Sequence, residues 1–163
     1  MILYIIRHAW AAPYDESTGL DDALRPLTSE GRERFARMVQ TLIARGFSPQ
    51  IIASSPLVRC RQTAEVVAEE VQGKPEVVLR DELAPGSDLA AILKWTFKQA
   101  PREEIAWVGH MPDVSYLAGA LIGETGGGID FAKGAVAAIR FDDLPQLGQG
   151  ELRWLVTAKM LGC

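Results

Sequence analysis

The chain has 163 residues, a mass of 17.8 kDa, 17 basic and 21 acidic side chains, and a net charge of −4. Its length fits one domain over residues 1–163 with ~8,000 Å² of folded surface; 48% apolar and 23% charged residues exclude a disordered or collagen-like chain, and the charge argues against a broad nucleic-acid surface. Two cysteines give no disulfide framework, and the first residues lack the basic segment of a secretory signal and are too short an apolar run to span a bilayer, so a reducing cytoplasm is the expected setting.

Residues 2–6, Ile-Leu-Tyr-Ile-Ile, form a continuous apolar run expected as a strand buried on both faces. Residues 9–26 read as a long loop, at a length that points to function. Residues 28–45 read as a helix with Thr28 as N-cap, Gly46 as stop, and Phe35, Met38, Val39, Leu42 and Ile43 on one face. Residues 50–53 predict a second strand. A second helix is expected from Ser55-Pro56, with Pro56 at its first position and Leu57, Cys60, Ala64, Val67, Ala68 and Val71 as its apolar stripe. Residues 77–79 predict a third strand, and 88–98 a helix with Leu89, Ile92, Leu93 and Phe97 inward. Residues 105–108 predict a fourth strand, followed by Gly109-His110 and a helix opened by Pro112. The run Gly126-Gly127-Gly128 reads as a turn. Residues 135–141 and 151–157 alternate with a period of two and predict a terminal hairpin.

Alternating strands and helices imply an α/β, three-layer α/β/α sandwich, with a mostly parallel central sheet and a C-terminal antiparallel hairpin. Such sheets bind ligands at the carboxyl ends of their strands. Arg7-His8 follows the first strand, Ser54-Ser55-Pro56 with Arg59 the second, and Gly109-His110 the fourth. The only two histidines of the chain thus fall at strand ends beside two arginines. Guanidiniums bind phosphate oxygens through charge-assisted hydrogen bonds, and helix N-termini add N–H donors. A neutral imidazole is a competent phosphoryl acceptor. The pattern predicts a phosphoryl pocket of Arg7, His8, Arg59 and His110. Each motif alone reads as an ordinary polar exit, exposed helix position or capping residue; their joint placement makes the case.

Four segments in order resemble the histidine phosphatase superfamily: Tyr4-Ile5-Ile6-Arg7-His8-Ala9, Arg25-Pro26-Leu27-Thr28-Ser29-Glu30-Gly31, Ser54-Ser55-Pro56-Leu57-Val58-Arg59-Cys60-Arg61-Gln62-Thr63-Ala64 and Val108-Gly109-His110. The resemblance covers nearly the whole chain. It implies a phosphoglycerate mutase-like fold and a phosphatase with His8 as nucleophile, Arg7 and Arg59 as phosphate clamp, and His110 completing the pocket. Ala9 stands where the signature usually has glycine, a departure that would carry strain if the position needed positive φ and that is similar to the small phosphohistidine phosphatases of the SixA type. The asparagine typical of mutases is missing from Trp10-Ala11-Ala12-Pro13-Tyr14, and the chain has no room for the lids of the larger mutases. Both features turn the expectation toward phosphohistidine on a protein. Small phosphate esters and mutase-like transfer are the alternative, and a non-catalytic phosphohistidine-binding module a second one. The family's general acid follows the third strand, where Glu82 is the candidate beside Asp81 and Asp88, with a plain surface carboxylate as the other reading.

Arg61, two residues past Arg59, points elsewhere on the helix. No metal-ligand spacing or phosphate-binding glycine loop occurs, so no metal or cofactor is expected, nor a nucleic-acid or membrane partner. Cys60 reads as a buried apolar residue, Asp21-Asp22 and Asp142-Asp143 as solvated turn pairs, and Trp95, Trp107 and Trp154 as core or half-buried. The oligomeric state has no signature in the sequence.

Overall fold

The computed structural model of the protein describes every residue except Asp15, Glu16, Thr18, Leu20 and residues 125–127. Part of the loop over residues 9–26 and two glycines of the predicted turn therefore lie outside the described residues.

The first apolar run becomes β1 (Ile2–Arg7) at the middle of a six-stranded sheet. The other strands are β2 (Ile51–Ser54), β3 (Glu76–Leu79), β4 (Glu104–Gly109), β5 (Val136–Arg140) and β6 (Glu151–Val156), in the order β3-β2-β4-β1-β5-β6. The first four in that order run parallel, and β5 and β6 add antiparallel pairings at one side. The α-helices are α1 (Ser29–Ile43), α2 (Val58–Glu70), α3 (Leu89–Phe97) and α4 (Asp113–Ile122).

The two-residue period of each strand splits its side chains between two cores. Leu3, Ile5, Ile105 and Trp107 join Ile92, Leu93, Leu117 and Leu121 of α3 and α4 on one face. Tyr4, Ile6, Ala106 and Val108 join Phe35, Met38, Cys60 and Val67 of α1 and α2 on the other. A strand covered on both faces has no polar side to present, which is why β1 carries no alternation. The exposed surface is 8040 Å², as the mass implies. No helix among the described residues is long and apolar enough to cross a membrane.

Helix ends follow local chemistry. The Thr28 hydroxyl accepts from the Gly31 amide at 2.9 Å, and the Asp88 carboxylate accepts from the Ala91 amide at 2.9 Å. Two expectations are corrected. Pro56 lies before α2, which starts at Val58, because the chain first turns beneath β4, where the Ser55 amide donates to the Val108 carbonyl at 3.0 Å. Phe97 is 39% exposed, since Trp95 takes the inward position near the end of the short α3.

Candidate active site

Strand register places the pocket. β1 pairs with β4 so that Arg7 lies opposite Gly109, and β2 pairs with β4 so that Ser54 lies opposite Val108. The next residue of each strand, His8, His110 and Ser55, therefore emerges side by side. The His8 amide donates to the Gly109 carbonyl at 3.0 Å, and the two imidazole centroids are 5.4 Å apart. The rings are 8% and 4% exposed by residue.

The His8 ring has a fixed tautomer. Its Nδ1 lies 2.8 Å from the Ala9 carbonyl. A carbonyl only accepts, so Nδ1 carries the proton and Nε2 keeps its lone pair. Burial lowers the pKa of His8 to about 3, with the charges of His110, Arg59 and Arg7 acting in the same direction and the Ala9 bond opposing. Burial, reinforced by Arg59, likewise lowers His110 to about 4. Both rings are neutral at pH 7.

Ala9 is buried, and its backbone φ is not positive, so the absent glycine costs no strain. Its amide donates to Thr63 Oγ1 at 3.0 Å, and that hydroxyl donates to the Arg59 carbonyl at 2.7 Å. Thr63 thus joins the residue that orients His8 to the turn of α2 that carries Arg59. Ser55 Oγ lies 2.8 Å from His110 Nε2, and Cys60 Sγ lies 3.4 Å from the same nitrogen. Burial pushes the Cys60 thiol up to about 12, so it stays protonated and serves as packing.

The two arginines share an arrangement. Arg7 Nη1 donates to the Phe131 carbonyl at 2.6 Å, and Arg59 Nη1 donates to the Asp22 carbonyl at 2.8 Å. Each guanidinium is thereby held by a main-chain oxygen. The Nε of each is buried and has no hydrogen-bond partner among the described residues. A buried, charged N–H without an acceptor is costly, and an oxyanion would satisfy it.

Asp22 corrects the reading of Asp21-Asp22 as a solvated pair. It opens a short 3-10 helix (Asp22–Leu24), and its Oδ2 lies 2.9 Å from Arg59 Nη2. Its Oδ1 accepts from Arg25 Nε at 3.0 Å. Burial works to raise this carboxyl, but hydrogen bonds and charge from Arg25 and Arg59 outweigh it and hold it below its ordinary value. Asp142 does lie in solvent, paired with the exposed Arg140. Arg61 pairs with Glu65 at 3.6 Å on the exposed side of α2.

Glu82 lies in a 3-10 helix (Asp81–Leu83) packed against the end of β4. Its carboxylate is engaged by the Arg80 guanidinium. Among the described residues no hydrogen bond or ion pair joins it to Arg7, His8, Arg59 or His110. Asp88 is occupied as the cap of α3. Sequence reasoning missed Asp22, Ser55 and Thr63 as pocket residues. Ser55 and Thr63 had a signal, one strand register and one helical turn away from named residues; Asp22 had none, because its place depends on how the loop folds back over α2.

The arrangement has relatives. The chain is 36% identical over 143 residues to an uncharacterized protein of Picosynechococcus sp. (strain PCC 7002), covering 86% of this chain and 85% of that one. It is 28% identical to the phosphohistidine phosphatase SixA of Escherichia coli K12 over 159 residues, 94% of this chain and 92% of SixA. The structure of the protein histidine phosphatase SixA complexed with tungstate superposes with a TM-score of 0.83 at 25% identity, covering 99% of both chains. The alpha-ribazole phosphatase of Shigella flexneri shares the fold, with a TM-score of 0.71 at 20% identity over 97% of each chain. With the pocket assembled from the loops after β1, β2 and β4, and with residues 3–127 matching the model of histidine phosphatase superfamily branch 1, the chain belongs to that superfamily of phosphatases.

Proposed function

We propose that the protein removes the phosphoryl group from phosphohistidine on another protein, through a phospho-His8 intermediate. The observation that carries the reading is the pair of anchored guanidiniums, each with a buried Nε unpartnered among the described residues, around two neutral imidazoles. Arg7 and Arg59 bind the oxygens of the transferring group. Neutral His110 adds a hydrogen bond where charge spreads in the transition state. The His8 Nε2 lone pair attacks phosphorus in line, the P–N bond of the substrate breaks, and its electron pair leaves with the substrate ring, which departs as neutral imidazole because its other nitrogen carries a proton. Water then attacks phosphorus, the electron pair of the His8 P–N bond returns to Nε2, and inorganic phosphate departs.

The substrate class rests on three supports. The relatives include SixA at 28% identity, and the SixA fold that superposes holds tungstate, a tetrahedral oxyanion like phosphate. No added lid domain stands beside the single sheet and its helices among the described residues, which suits a side chain presented by a partner protein. Glu82, the proposed proton donor, is engaged by Arg80, and an imidazole leaving group tolerates a weak donor because the phosphoramidate bond is already labile. A reducing cytoplasm is the setting we propose for it.

The test compares kcat/KM on a phosphohistidine-bearing protein with that on a panel of small phosphate esters, for the wild type and for His8→Ala. Preference for the phosphoprotein by orders of magnitude, lost in His8→Ala, is expected. Equal or greater activity on small esters assigns the alternative substrate class, and binding without turnover assigns the non-catalytic module.

A further inference from the structure

The pocket already contains an anion. Asp22 Oδ2 sits 2.9 Å from Arg59 Nη2, on the arginine read above as half of the phosphate clamp. The Asp22 side chain is 45% exposed, whereas that of Arg59 is 6% exposed. The partners therefore differ in freedom: Arg59 is packed in place and tied to the Asp22 carbonyl by Nη1, while the carboxylate reaches in from a loop. A second cation stands beside it, with Arg25 Nη2 2.9 Å and Nε 3.0 Å from Oδ1. Arg25 is itself fixed by donating from Nη1 to the Ala12 carbonyl at 2.9 Å.

A phosphoryl dianion on Arg59 would place three negative charges around one guanidinium in a largely buried site. Like charges at such distances repel strongly where the effective dielectric is low. The half-exposed carboxylate yields more readily than the packed arginine, and Arg25 offers it a cation to stay with.

We propose that Asp22 is a tethered counter-ion of Arg59 that the phosphoryl group displaces toward Arg25 and that returns when inorganic phosphate leaves. This rests on the reading of Arg59 as a phosphate ligand. Asp22 acts as a built-in competitor for oxyanions. It offsets the charge of Arg59 in the empty pocket, sets the threshold affinity for entry, and opposes retention of the product, since a tethered group competes at high effective concentration. Asp22 is an affinity-determining residue in this scheme, with no part in bond making or breaking.

The test is calorimetric titration of inorganic phosphate and of tungstate into the wild type, Asp22→Asn and Asp22→Ala. Both substitutions leave the main-chain carbonyl that holds Arg59 Nη1. Both are expected to tighten oxyanion binding roughly three- to tenfold. The product inhibition constant for phosphate should fall by the same factor, and the gain should persist at about 0.5 M salt, because the exchange occurs at contact distance. Unchanged or weaker binding in both variants overturns the exchange and makes Asp22 a support that positions Arg59. A gain that vanishes at high salt overturns it in favour of a diffuse field effect. If the wild type neither binds these ions nor hydrolyses any phosphoryl substrate, the phosphate reading falls and the exchange with it. If the wild type binds them and the variants bind no tighter, the exchange alone falls.

Discussion

Neutral imidazoles govern the behaviour of the pocket with pH. Burial lowers His8 to about 3 and His110 to about 4, against an ordinary histidine near 6.5. In an NMR titration of the folded protein, neither ring should show a midpoint between pH 5 and 8; a midpoint near 6.5 for His8 would contradict an imidazole kept neutral by burial. The sign for stability follows. Between pH 6.5 and the folded values the unfolded chain binds more protons, so stability falls on acidification, by at most about 1.4 kcal/mol per pH unit for each ring, and levels off below pH ~3. Denaturant midpoints measured from pH 7 to pH 4 should decline accordingly. Thr63 is the other residue with a sharp expectation. Thr63→Val leaves the buried Ala9 amide without its acceptor and removes the hydroxyl bond to the Arg59 carbonyl, which should cost about 1–3 kcal/mol. Turnover should fall with it, because Ala9 holds His8; Thr63→Ser should restore both, and a Val variant equal to the wild type in stability and kcat would refute the linkage.

At the scale of elements, the loop after β1 is shaped by its contact with α1. A Cβ built on Gly31 would lie 2.4 Å from the Trp10 carbonyl and 2.7 Å from Trp10 Cβ, so the first turn of α1 touches the loop backbone directly. Thr28 reinforces this join by donating its amide to the Trp10 carbonyl at 3.0 Å. Gly31→Ala should therefore lower stability by about 1–3 kcal/mol, despite alanine's better helix propensity, with a lower Tm as the readout. An unchanged or higher Tm would mean that the loop moves away at no cost. Elements with a strong apolar pattern were legible from the sequence: the continuous run of β1, the stripe of α1 with its Thr28 cap, and the hairpin of β5 and β6. Pro56 was not, because proline fits both the first helical turn and the turn before it, and a backbone bond from Ser55 to β4 decided between them. Phe97 misled for a related reason: near the end of a nine-residue helix, a small change of phase exchanges it with Trp95.

For the whole molecule, the position of the site follows from strand order. Any α/β sheet gathers loops at its carboxyl edge. Only an order with β4 between β1 and β2 puts His8, His110 and Ser55 on adjacent strands. Sequence motifs at strand ends named Arg7, His8, Arg59 and His110, because those positions are tied to secondary structure. They could not reveal Asp22, which arrives through the fold of a loop whose pairing is non-local, nor the engagement of Glu82 by Arg80, which depends on two exposed-looking residues meeting around a short 3-10 turn. What the sheet brings together are two buried imidazoles and two anchored guanidiniums, and the proposed function stands on His8 becoming phosphorylated.

The most direct measurement is rapid quenching during turnover of a phosphoryl substrate, followed by mapping of acid-labile phosphate on the chain. The account predicts phosphate on Nε2 of His8, formed and lost at rates that match turnover, and absent from His8→Ala. Steady turnover with no phosphate on His8, or full activity in His8→Ala, would contradict it.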